Sequence, residues 1–529
     1  MHAWNLFVRE PRDPVVAHEM VVGGDQEASE AKLIMVGHRK SDRVVVPEKR
    51  PNNASEAAEV VEGRTLTKGN TDEQAASRTQ GRVEDASGGL DRVREAARRD
   101  KEQRFTALLH HVDEKALLRA FRTMNRNATA GVDGVTWSQY EDGVEERLRE
   151  LCSRIHRGAY RPRPSRRTYI PKADGSQRAL GIAALEDKIV QKAVAAVLSA
   201  IYEEDFLGFS YGFRPGRSQH DALDALTVAI QTKKVNYILD ADIRGYFDTI
   251  DHGMLLQYVQ HRVHDPRVLR LIRRWLRAGV MDEGQWKASE AGTPQGATIS
   301  PLLANIYLHH VLDQWVCAWR KMQARGEVII VRYADDFIVG FQYEQDAKAF
   351  QEALQARLRE HLLELHPDKT RLIEFGRYAL ERRAERGEGK PPTFNFLGFT
   401  HICAPGEKGF WVKRIPMKER VRAKLRQLKD ALRRVMHRPV SVVGAWLGRV
   451  LTGYYAYYSV PGALGTLSKM RHQLSYLWFK VLRRRDQSRT LNWGRMREHV
   501  KAWLPVPHIV HPLPAARFDV RTRGRSPVR

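Results

Sequence analysis

The stretch Val328-Ile-Ile-Val-Arg-Tyr-Ala-Asp-Asp-Phe-Ile-Val-Gly340 decides the fold of this 529-residue chain. Two short apolar runs rich in β-branched residues surround a polar tip, which is typical of a β-hairpin. The tip carries Asp335 and Asp336, and adjacent carboxylates among apolar strands need water or a metal ion around them. Because aspartate is also common in ordinary turns, this pair does not establish a functional site by itself.

A third carboxylate, Asp242, stands near the end of a predicted strand, Val235–Ile243. If that strand lies beside the hairpin, the three carboxylates form a cluster of the oxygen ligands that Mg²⁺ prefers. Two such ions about 4 Å apart would activate a 3′-hydroxyl and stabilise a pyrophosphate leaving group. Asp240, Asp248 and Asp251 are close in sequence, and we assign them structural roles in helix capping and at the surface.

Charge is distributed unevenly along the chain. The sequence has 88 basic and 63 acidic residues, which gives a formal net charge of +25. Residues 401–529 hold 28 basic and 6 acidic residues, so this quarter contributes +22. It is also rich in Trp, Tyr and Leu, which predicts a folded surface of the kind that binds nucleic acid. Residues 1–90 lack periodicity and are rich in polar residues, and we interpret them as a mostly disordered leader.

The cysteines and the uncharged segments exclude several classes of protein. Cys152, Cys317 and Cys403 are odd in number and far apart, which argues against a disulfide scaffold and a zinc knuckle and suits a reducing cytoplasm. The chain does not open with a signal peptide pattern. Two long uncharged runs, Ala291–Leu312 and Val450–Ser468, contain the glycine and proline of loops and helix ends. We therefore expect a cytoplasmic protein with no membrane partner.

Tyr333-Ala-Asp-Asp336 resembles the signature of reverse transcriptases, and its surroundings resemble those of the reverse transcriptases of bacterial group II introns, also called intron maturases. Seven further blocks follow the order of that family, which makes the resemblance specific over about residues 90–529. These blocks are Gly131-Val-Asp-Gly-Val135, Ile170-Pro-Lys172 with Arg178-Ala-Leu-Gly-Ile182, Tyr211-Gly-Phe-Arg-Pro-Gly216, Asp242-Ile-Arg-Gly-Tyr-Phe-Asp248, Gly292-Thr-Pro-Gln-Gly296 with Ser300-Pro-Leu-Leu-Ala-Asn-Ile-Tyr307, His366-Pro-Asp-Lys-Thr370 and Phe394-Asn-Phe-Leu-Gly-Phe399.

The resemblance implies an α+β fold in the shape of a right-hand polymerase. Fingers and palm with an antiparallel sheet would be followed by an α-helical thumb, also called the maturase domain. In these terms residues 1–90 are the leader, 91–400 the fingers and palm, 401–480 the thumb, and 481–529 a basic DNA-binding segment. We expect no endonuclease domain, since the Cys- and His-containing module of some relatives has no counterpart in the sequence.

The resemblance also implies a nucleotide-binding set. Lys172 and Arg178 flank a turn and match the fingertip cations that bind the triphosphate of the incoming nucleotide. Phe247 would stack under the sugar and exclude a ribose 2′-hydroxyl, with Tyr246 as the competing candidate. Gln295 would reach the nucleotide or the template strand with its side-chain amide.

Template and primer contacts are implied at three further places. Arg214 and Arg217 resemble a template-binding loop, and Gly296 would allow close backbone approach to the nucleic acid. Leu397-Gly398 resembles the turn that grips the primer end. It falls within Thr393–Thr400, which we predict to be one short strand.

The resemblance implies an RNA-directed DNA polymerase that uses two Mg²⁺ ions held by Asp242, Asp335 and Asp336. It would copy group II intron RNA into DNA during retrohoming and assist splicing as a maturase. Its partners would be the intron RNA, the target DNA and deoxynucleoside triphosphates. A splicing-only RNA-binding maturase and a domesticated reverse transcriptase used in defence remain alternatives. The intact set of three aspartates argues against the first, and the basic C-terminal domain argues against the second.

Overall fold

The computed structural model describes residues 89–171, 177–406, 410–486 and 490–522 of the chain. The predicted leader lies outside these residues except for its last two, which begin the first helix. The described chain mixes helices with three sheets and ends in a helical region. The α+β fold predicted from the sequence is confirmed.

The N-terminal part is mainly helical. Its helices are α1 (89–99), α2 (Glu114–Arg122), α3 (Trp137–Glu141), α4 (Val144–His156) and α5 (Leu185–Asp205). Strands β1 (Ser165–Pro171) and β2 (Gln177–Ile182) form an antiparallel pair between α4 and α5. Asp113 caps the start of helix α2, because its carboxylate accepts a hydrogen bond from the amide of Ala116 at 2.7 Å.

The central part holds most of the sheet structure. Its helices are α6 (Gln219–Thr232), α7 (Tyr246–Thr249), α8 (His252–Gln260), α9 (Pro266–Arg277), α10 (Ser300–Leu308), α11 (Gln314–Met322), α12 (Glu344–Glu360) and α13 (Ala379–Glu385). Its strands are β3 (Tyr237–Asp242), β4 (Val280–Asp282), β5 (Gln285–Lys287), β6 (Val328–Tyr333), β7 (Asp336–Phe341) and β8 (Arg371–Glu374). A π-helical segment, His309–Asp313, joins α10 to α11. One sheet has the order β2-β1-β4-β5. A second sheet has the order β6-β7-β3-β8; we call it the palm sheet, because it lies in the region predicted to form the palm.

The palm sheet is antiparallel throughout and buried on both faces. Leu239 and Phe337 belong to a core shared with the N-terminal helices. Their strand neighbours Ile238 and Ile338 belong to a second core on the other face. Since successive side chains of a strand point to opposite faces, the nearly continuous apolar runs in the sequence follow from this double burial.

The C-terminal part consists of a small sheet followed by helices. Strands β9 (Phe394–Phe396), β10 (Phe399–Ala404) and β11 (Trp411–Pro416) form an antiparallel sheet in the order β11-β10-β9. The helices are α14 (Lys418–Arg434), α15 (Val440–Tyr458), α16 (Leu464–Arg485), α17 (Trp493–Trp503) and α18 (Pro514–Thr522). The single strand predicted over Thr393–Thr400 is wrong. Left-handed backbone at Leu397 (φ 46°) and Gly398 (φ 82°) turns the chain there, so β9 and β10 form a hairpin.

The helical C-terminal part shares the second core with the palm. This core includes Leu226 of α6, Ile338 of β7, Leu447 of α15 and Trp478 of α16. A truncation within the C-terminal part would therefore expose palm residues to water, and single side-chain changes are the sounder way to test its role.

The last described residues return to the palm and pack against α6. Arg517 of α18 and Arg414 of β11 both form ion pairs with Asp224 of α6, whose side chain is buried. The His511 ring stacks on the His220 ring with centroids 3.9 Å apart. The part of the predicted DNA-binding segment that the structure describes is thus fastened to the body of the protein, and DNA binding by it stays a prediction.

Two absences hold for the residues that the structure describes. No helix there is both long and apolar enough to cross a membrane. The three cysteines are free thiols, and Cys403 is buried.

Candidate active site

The palm sheet brings the three predicted catalytic carboxylates together. Antiparallel register places Asp242 of β3 opposite Asp336 of β7, and Asp335 lies in the turn between β6 and β7. Ala334 adopts left-handed backbone, with φ 58°, which closes this turn within two residues. The expected proximity of Asp242 to the hairpin is therefore present in the structure.

Burial and neighbouring carboxylates together disfavour the ionised form of Asp335. Burial, and then the charges of Asp336 and Asp242, raise the pKa of Asp335 to about 6. On the same strand as Asp242, burial raises the pKa of Asp240 to about 6 as well, although Arg371 donates a hydrogen bond to it at 3.2 Å. The site has an excess of negative charge, which favours cations.

Lys369 is a residue of this site that the sequence reasoning missed. Its ammonium lies 2.7 Å from the Oδ2 atom of Asp242. The chain holds it there because the His366 amide donates to the Asp242 carbonyl at 2.8 Å. The matching block His366-Pro-Asp-Lys-Thr370 was the available signal, but the sequence does not show that its lysine reaches the carboxylates.

A buried network supports the turn that carries Asp335. Arg332, at the end of β6, is fully buried and donates from Nη1 to the carbonyl of Ala334 at 3.0 Å. Its other donors bind Asp313, Asn305 and Ser210 at distances from 2.5 to 3.0 Å. This pattern satisfies a buried guanidinium and fixes the backbone next to Asp335.

Close packing of Gly212 also fixes the turn. A Cβ atom added at Gly212 would lie 2.2 Å from the amide nitrogen of Ala334. The carbonyl of Gly212 accepts a hydrogen bond from the side chain of Asn305 at 2.7 Å. The Tyr211-Gly-Phe-Arg-Pro-Gly216 block therefore contains a glycine because the backbone of this turn passes against it.

The structure separates the two candidates for sugar selection. Tyr246 is 1 % exposed, and its hydroxyl donates to the carbonyl of Ala304 at 2.6 Å. Phe247 is half-buried, with its ring edge-on to Phe213 at a centroid distance of 6.1 Å. Of the two side chains, Phe247 has the larger exposed surface, and its part in sugar selection stays a prediction.

The loop that carries Gln295 is hydrogen-bonded to Phe247 on one side and to the β1–β2 hairpin on the other. The amide of Thr293 donates to the Phe247 carbonyl at 2.7 Å, and the amide of Gly181 donates to the Gln295 carbonyl at 2.6 Å. The side-chain amide of Gln295 lies 3.3 Å from both carboxylate oxygens of Asp248. These contacts place Gln295 beside Phe247 and link both to β2.

Gly296 is required by packing within the protein. Its φ is +108°, and an added Cβ would lie 2.8 Å from the carbonyl oxygen of Gly181. Arg178 of β2 pairs with Ile170 of β1. Lys172, the other predicted fingertip cation, lies outside the described residues. Their contacts with a triphosphate, and contact of Gly296 with nucleic acid, stay predictions.

Arg214 does not present its charge to solvent. Its side chain is 3 % exposed and forms an ion pair with Glu203 at 2.9 Å. It also donates to the carbonyls of Leu207 and Ser210. Burial and three protein acceptors thus hold the Arg214 guanidinium inside the protein, and a direct template contact by it stays a prediction. Arg217 also donates to the Ser210 carbonyl but is partly exposed, so its template contact stays a prediction.

The predicted primer turn is held by the C-terminal helices. The Tyr457 hydroxyl of α15 donates to the Leu397 carbonyl at 2.7 Å. A Cβ at Gly398 would meet the Tyr458 hydroxyl at 3.0 Å and Arg420 of α14 at 3.6 Å. The turn thus lies against α14 and α15.

The carboxylate cluster could supply some, but not all, of the ligands of a Mg²⁺ ion. Within the described residues, no group of three or more Asp, Glu, His or Cys side chains could hold a metal ion as placed. Protein-bound Mg²⁺ usually takes one or two carboxylates, with water and substrate phosphates as its other ligands. Asp242, Asp335 and Asp336 offer oxygen ligands alone, so their chemistry suits this ion.

Comparison with known proteins agrees with this geometry. Residues 170–401 match the family model described as reverse transcriptase (RNA-dependent DNA polymerase). The chain is 34 % identical to Protein YkfC of Escherichia coli (strain K12) over 302 residues, which are 49 % of this chain and 78 % of YkfC.

Relatives from introns also match. The chain is 31 % identical to the group II intron-encoded protein LtrA of Lactococcus lactis subsp. cremoris over 303 residues, which are 55 % of this chain and 50 % of LtrA. The putative COX1/OXI3 intron 2 protein of Saccharomyces cerevisiae is 32 % identical over 213 residues, 39 % of this chain and 24 % of that protein. The chain thus spans about half the length of LtrA. It belongs to the reverse transcriptase family, in which its relatives include a protein encoded by a group II intron.

Proposed function

We propose that this protein is an RNA-directed DNA polymerase encoded by a group II intron, which copies intron RNA into DNA during retrohoming and assists intron splicing as a maturase. The observation that carries the proposal is the register that sets Asp242 opposite Asp336, with Asp335 in the adjoining turn. This pair of strands lies within the segment that matches the family model.

The predicted catalytic and triphosphate-binding residues would act together in this reaction. Asp242, Asp335 and Asp336 would hold Mg²⁺, which supplies activation of the primer hydroxyl and charge stabilisation of the leaving pyrophosphate. Lys369 would offset the repulsion among these carboxylates, since its ammonium already binds Asp242. Arg178 and Lys172 would bind the triphosphate, because guanidinium and ammonium groups are the usual phosphate donors.

Two further residues would set the position of the nucleotide. Phe247, whose ring is half-buried, would lie under the sugar and exclude a 2′-hydroxyl. Gln295 would position the base pair from the loop that is pinned to the Phe247 carbonyl. Geometry of this kind contributes to catalysis by holding the reacting atoms in line.

The partners of the reaction would be the intron RNA, the target DNA and deoxynucleoside triphosphates. The basic C-terminal part supports a long polyanionic ligand, because residues 401–529 carry 28 basic and 6 acidic residues. Binding would depend steeply on salt, since each neutralised phosphate releases condensed counterions.

Primer extension on an RNA template tests the proposal. Asp335→Asn keeps the shape of the side chain but removes its charge, and we expect at least a 1,000-fold loss of DNA synthesis. Asp113→Asn is the matched control, because asparagine caps α2 as well as aspartate does and the site is elsewhere. Efficient DNA synthesis by Asp335→Asn would refute the active-site assignment.

A splicing assay separates the two activities. We expect Asp335→Asn to promote splicing of the intron about as well as the unaltered protein, because RNA binding does not need this carboxylate. If the unaltered protein promoted splicing but extended no primer, the splicing-only maturase would be the correct function. If it extended primers but neither bound a group II intron nor promoted its splicing, the protein would be a domesticated reverse transcriptase.

A further inference from the structure

A groove runs between helices α14 and α16, and none of its lining residues belongs to the carboxylate cluster. Its volume is about 720 Å³, which lies in the range of clefts that bind small ligands. Leu425 and Leu477, both partly buried, supply its apolar surface. We call it the α14–α16 groove.

One wall of the groove is a stripe of uncompensated positive charge. Arg422, Arg426 and Lys429 of α14 are spaced four and three residues apart, so they lie on one helix face. All three are exposed, and none has an acidic partner within the described residues. Like charges at this spacing destabilise a helix unless an anion neutralises them.

The opposite wall adds no acidic residue to balance this stripe. The whole of α16, Leu464–Arg485, has no aspartate or glutamate. It contributes His472 and Gln473 to the groove, both exposed. The groove thus combines an apolar surface with cations and neutral hydrogen-bonding groups at its edges, a set that suits a base together with its phosphates and sugar hydroxyls.

An aromatic side chain stands in the same wall. Tyr476 lines the groove and is 45 % exposed. Its ring is parallel to that of Trp493, with centroids 6.1 Å apart, and Trp493 stacks in turn on Phe479 at 4.3 Å. The ring is therefore held in place from the α17 side. The Lys480 ammonium lies over it, 4.6 Å from the ring centroid, and a base that stacks on that face would take the place of this ammonium.

We propose that the α14–α16 groove binds an unpaired nucleotide of single-stranded RNA, with its base against Tyr476 and its flanking phosphates on Arg422, Arg426 and Lys429. A duplex keeps its bases stacked inside, whereas an unpaired base can reach an aromatic ring. His472 and Gln473 can bond a ribose 2′-hydroxyl, which favours RNA over DNA. The inference rests on the proposed function in taking RNA as the ligand.

Fluorescence anisotropy with the full-length protein tests the proposal. The probes are a single-stranded RNA of mixed sequence, the single-stranded DNA of the same sequence, and a blunt RNA duplex. We expect Tyr476→Ala to weaken single-stranded RNA binding about 5- to 150-fold without changing its salt dependence. Tyr476→Trp should restore the affinity, because a larger ring still provides a surface for stacking.

The positive charges of the groove are tested by the salt dependence of RNA binding. We expect Arg426→Gln to reduce the slope of log K against log salt by about 0.7, the value for one phosphate contact on a single strand. Lys348→Gln is the matched control, since it removes one exposed positive charge on α12, where Lys348 pairs with Glu344. It should leave both affinity and slope unchanged, and thermal unfolding should show that every variant is folded.

Other results would overturn the inference. Unchanged single-stranded RNA binding by both Tyr476→Ala and Arg426→Gln would show that the groove does not bind RNA. If the same substitutions weakened binding of single-stranded DNA as much as that of single-stranded RNA, the groove would not select RNA. If they weakened binding of the RNA duplex equally, the groove would not bind an unpaired base. Primer extension by the unaltered protein tests the proposed polymerase function separately. That function would therefore not be refuted if the groove failed to bind RNA.

Discussion

The guanidinium of Arg332 and the carboxylate of Asp313 form a fully buried ion pair next to the turn that carries Asp335, with nitrogen–oxygen distances of 2.7 and 2.5 Å. Two charges removed from water are tolerated only when further hydrogen bonds satisfy them, and Asn305, Ser210 and Ala334 supply these. The pair couples the π-helical segment before α11 to the backbone beside Asp335.

Arg332→Met should destabilise the fold and stop DNA synthesis. It leaves the carboxylate of Asp313 buried without a partner, at a cost of about 3–5 kcal/mol in the free energy of unfolding. The double variant Arg332→Met with Asp313→Leu should recover most of that stability, as urea unfolding would show. It should still extend primers poorly, because no donor holds the Ala334 carbonyl. Normal activity of the stable double variant would show that Arg332 does not position the turn.

Phe247→Val should relax sugar selection. The smaller side chain leaves space beside the nucleotide, so we expect kcat/KM for a ribonucleotide to rise at least tenfold relative to its deoxynucleotide. Tyr246→Phe removes only the hydroxyl bond to Ala304 and should cost about 1 kcal/mol of stability without changing selectivity. Steady-state kinetics with CTP and dCTP measure both. A selectivity change in Tyr246→Phe alone would reverse the assignment.

Arg517→Met should loosen the C-terminal segment from the palm. It removes one of the two arginines on the buried carboxylate of Asp224 and leaves Arg414 as its partner at 2.9 Å. We expect a loss of roughly 1–3 kcal/mol and faster proteolysis of residues 505–522. Arg497→Met on the exposed face of α17 should stay within about 0.5 kcal/mol. Identical proteolysis of both variants would show that Arg517 does not fasten the segment.

Acid should destabilise the protein through His401. This ring is fully buried, stacks on Phe394 at 4.6 Å, and lies opposite Arg414 on the neighbouring strand. Burial, and then the charge of Arg414, lower the pKa of His401 to about 3. Below pH 6.5, the ordinary pKa of histidine, His401 is protonated in the unfolded chain but stays neutral in the folded chain. The free energy of unfolding therefore decreases as the pH is lowered.

His401→Phe removes this effect. We expect the free energy of unfolding to fall less steeply between pH 6 and pH 4, by up to about 1.4 kcal/mol for each pH unit. Urea unfolding at a series of pH values provides the measurement. His437→Gln, at an exposed position, is the control and should leave the slope unchanged. A slope in His401→Phe equal to that of the unaltered protein would contradict the prediction.

The sequence predicts local elements well where one pattern dominates. The hairpin around Asp335 and the strand ending at Asp242 appear as expected, because apolar runs with turn residues between them form strands in almost any context. The prediction of a single strand over Thr393–Thr400 was wrong, because no turn residue stands out in its sequence pattern. Its apolar residues continue across Leu397-Gly398, and only the left-handed backbone of these two residues shows that the chain turns.

The sequence alone determined the three carboxylates, the concentration of positive charge after residue 401 and the membership of a polymerase family. These properties depend on residue identity and order, which no folding step changes. Tertiary structure decided which side chains reach the site. It buried Arg214 and Tyr246, left Phe247 accessible, and brought Lys369 to Asp242. Burial and partner choice depend on contacts between residues far apart in the chain, and the sequence does not state those contacts.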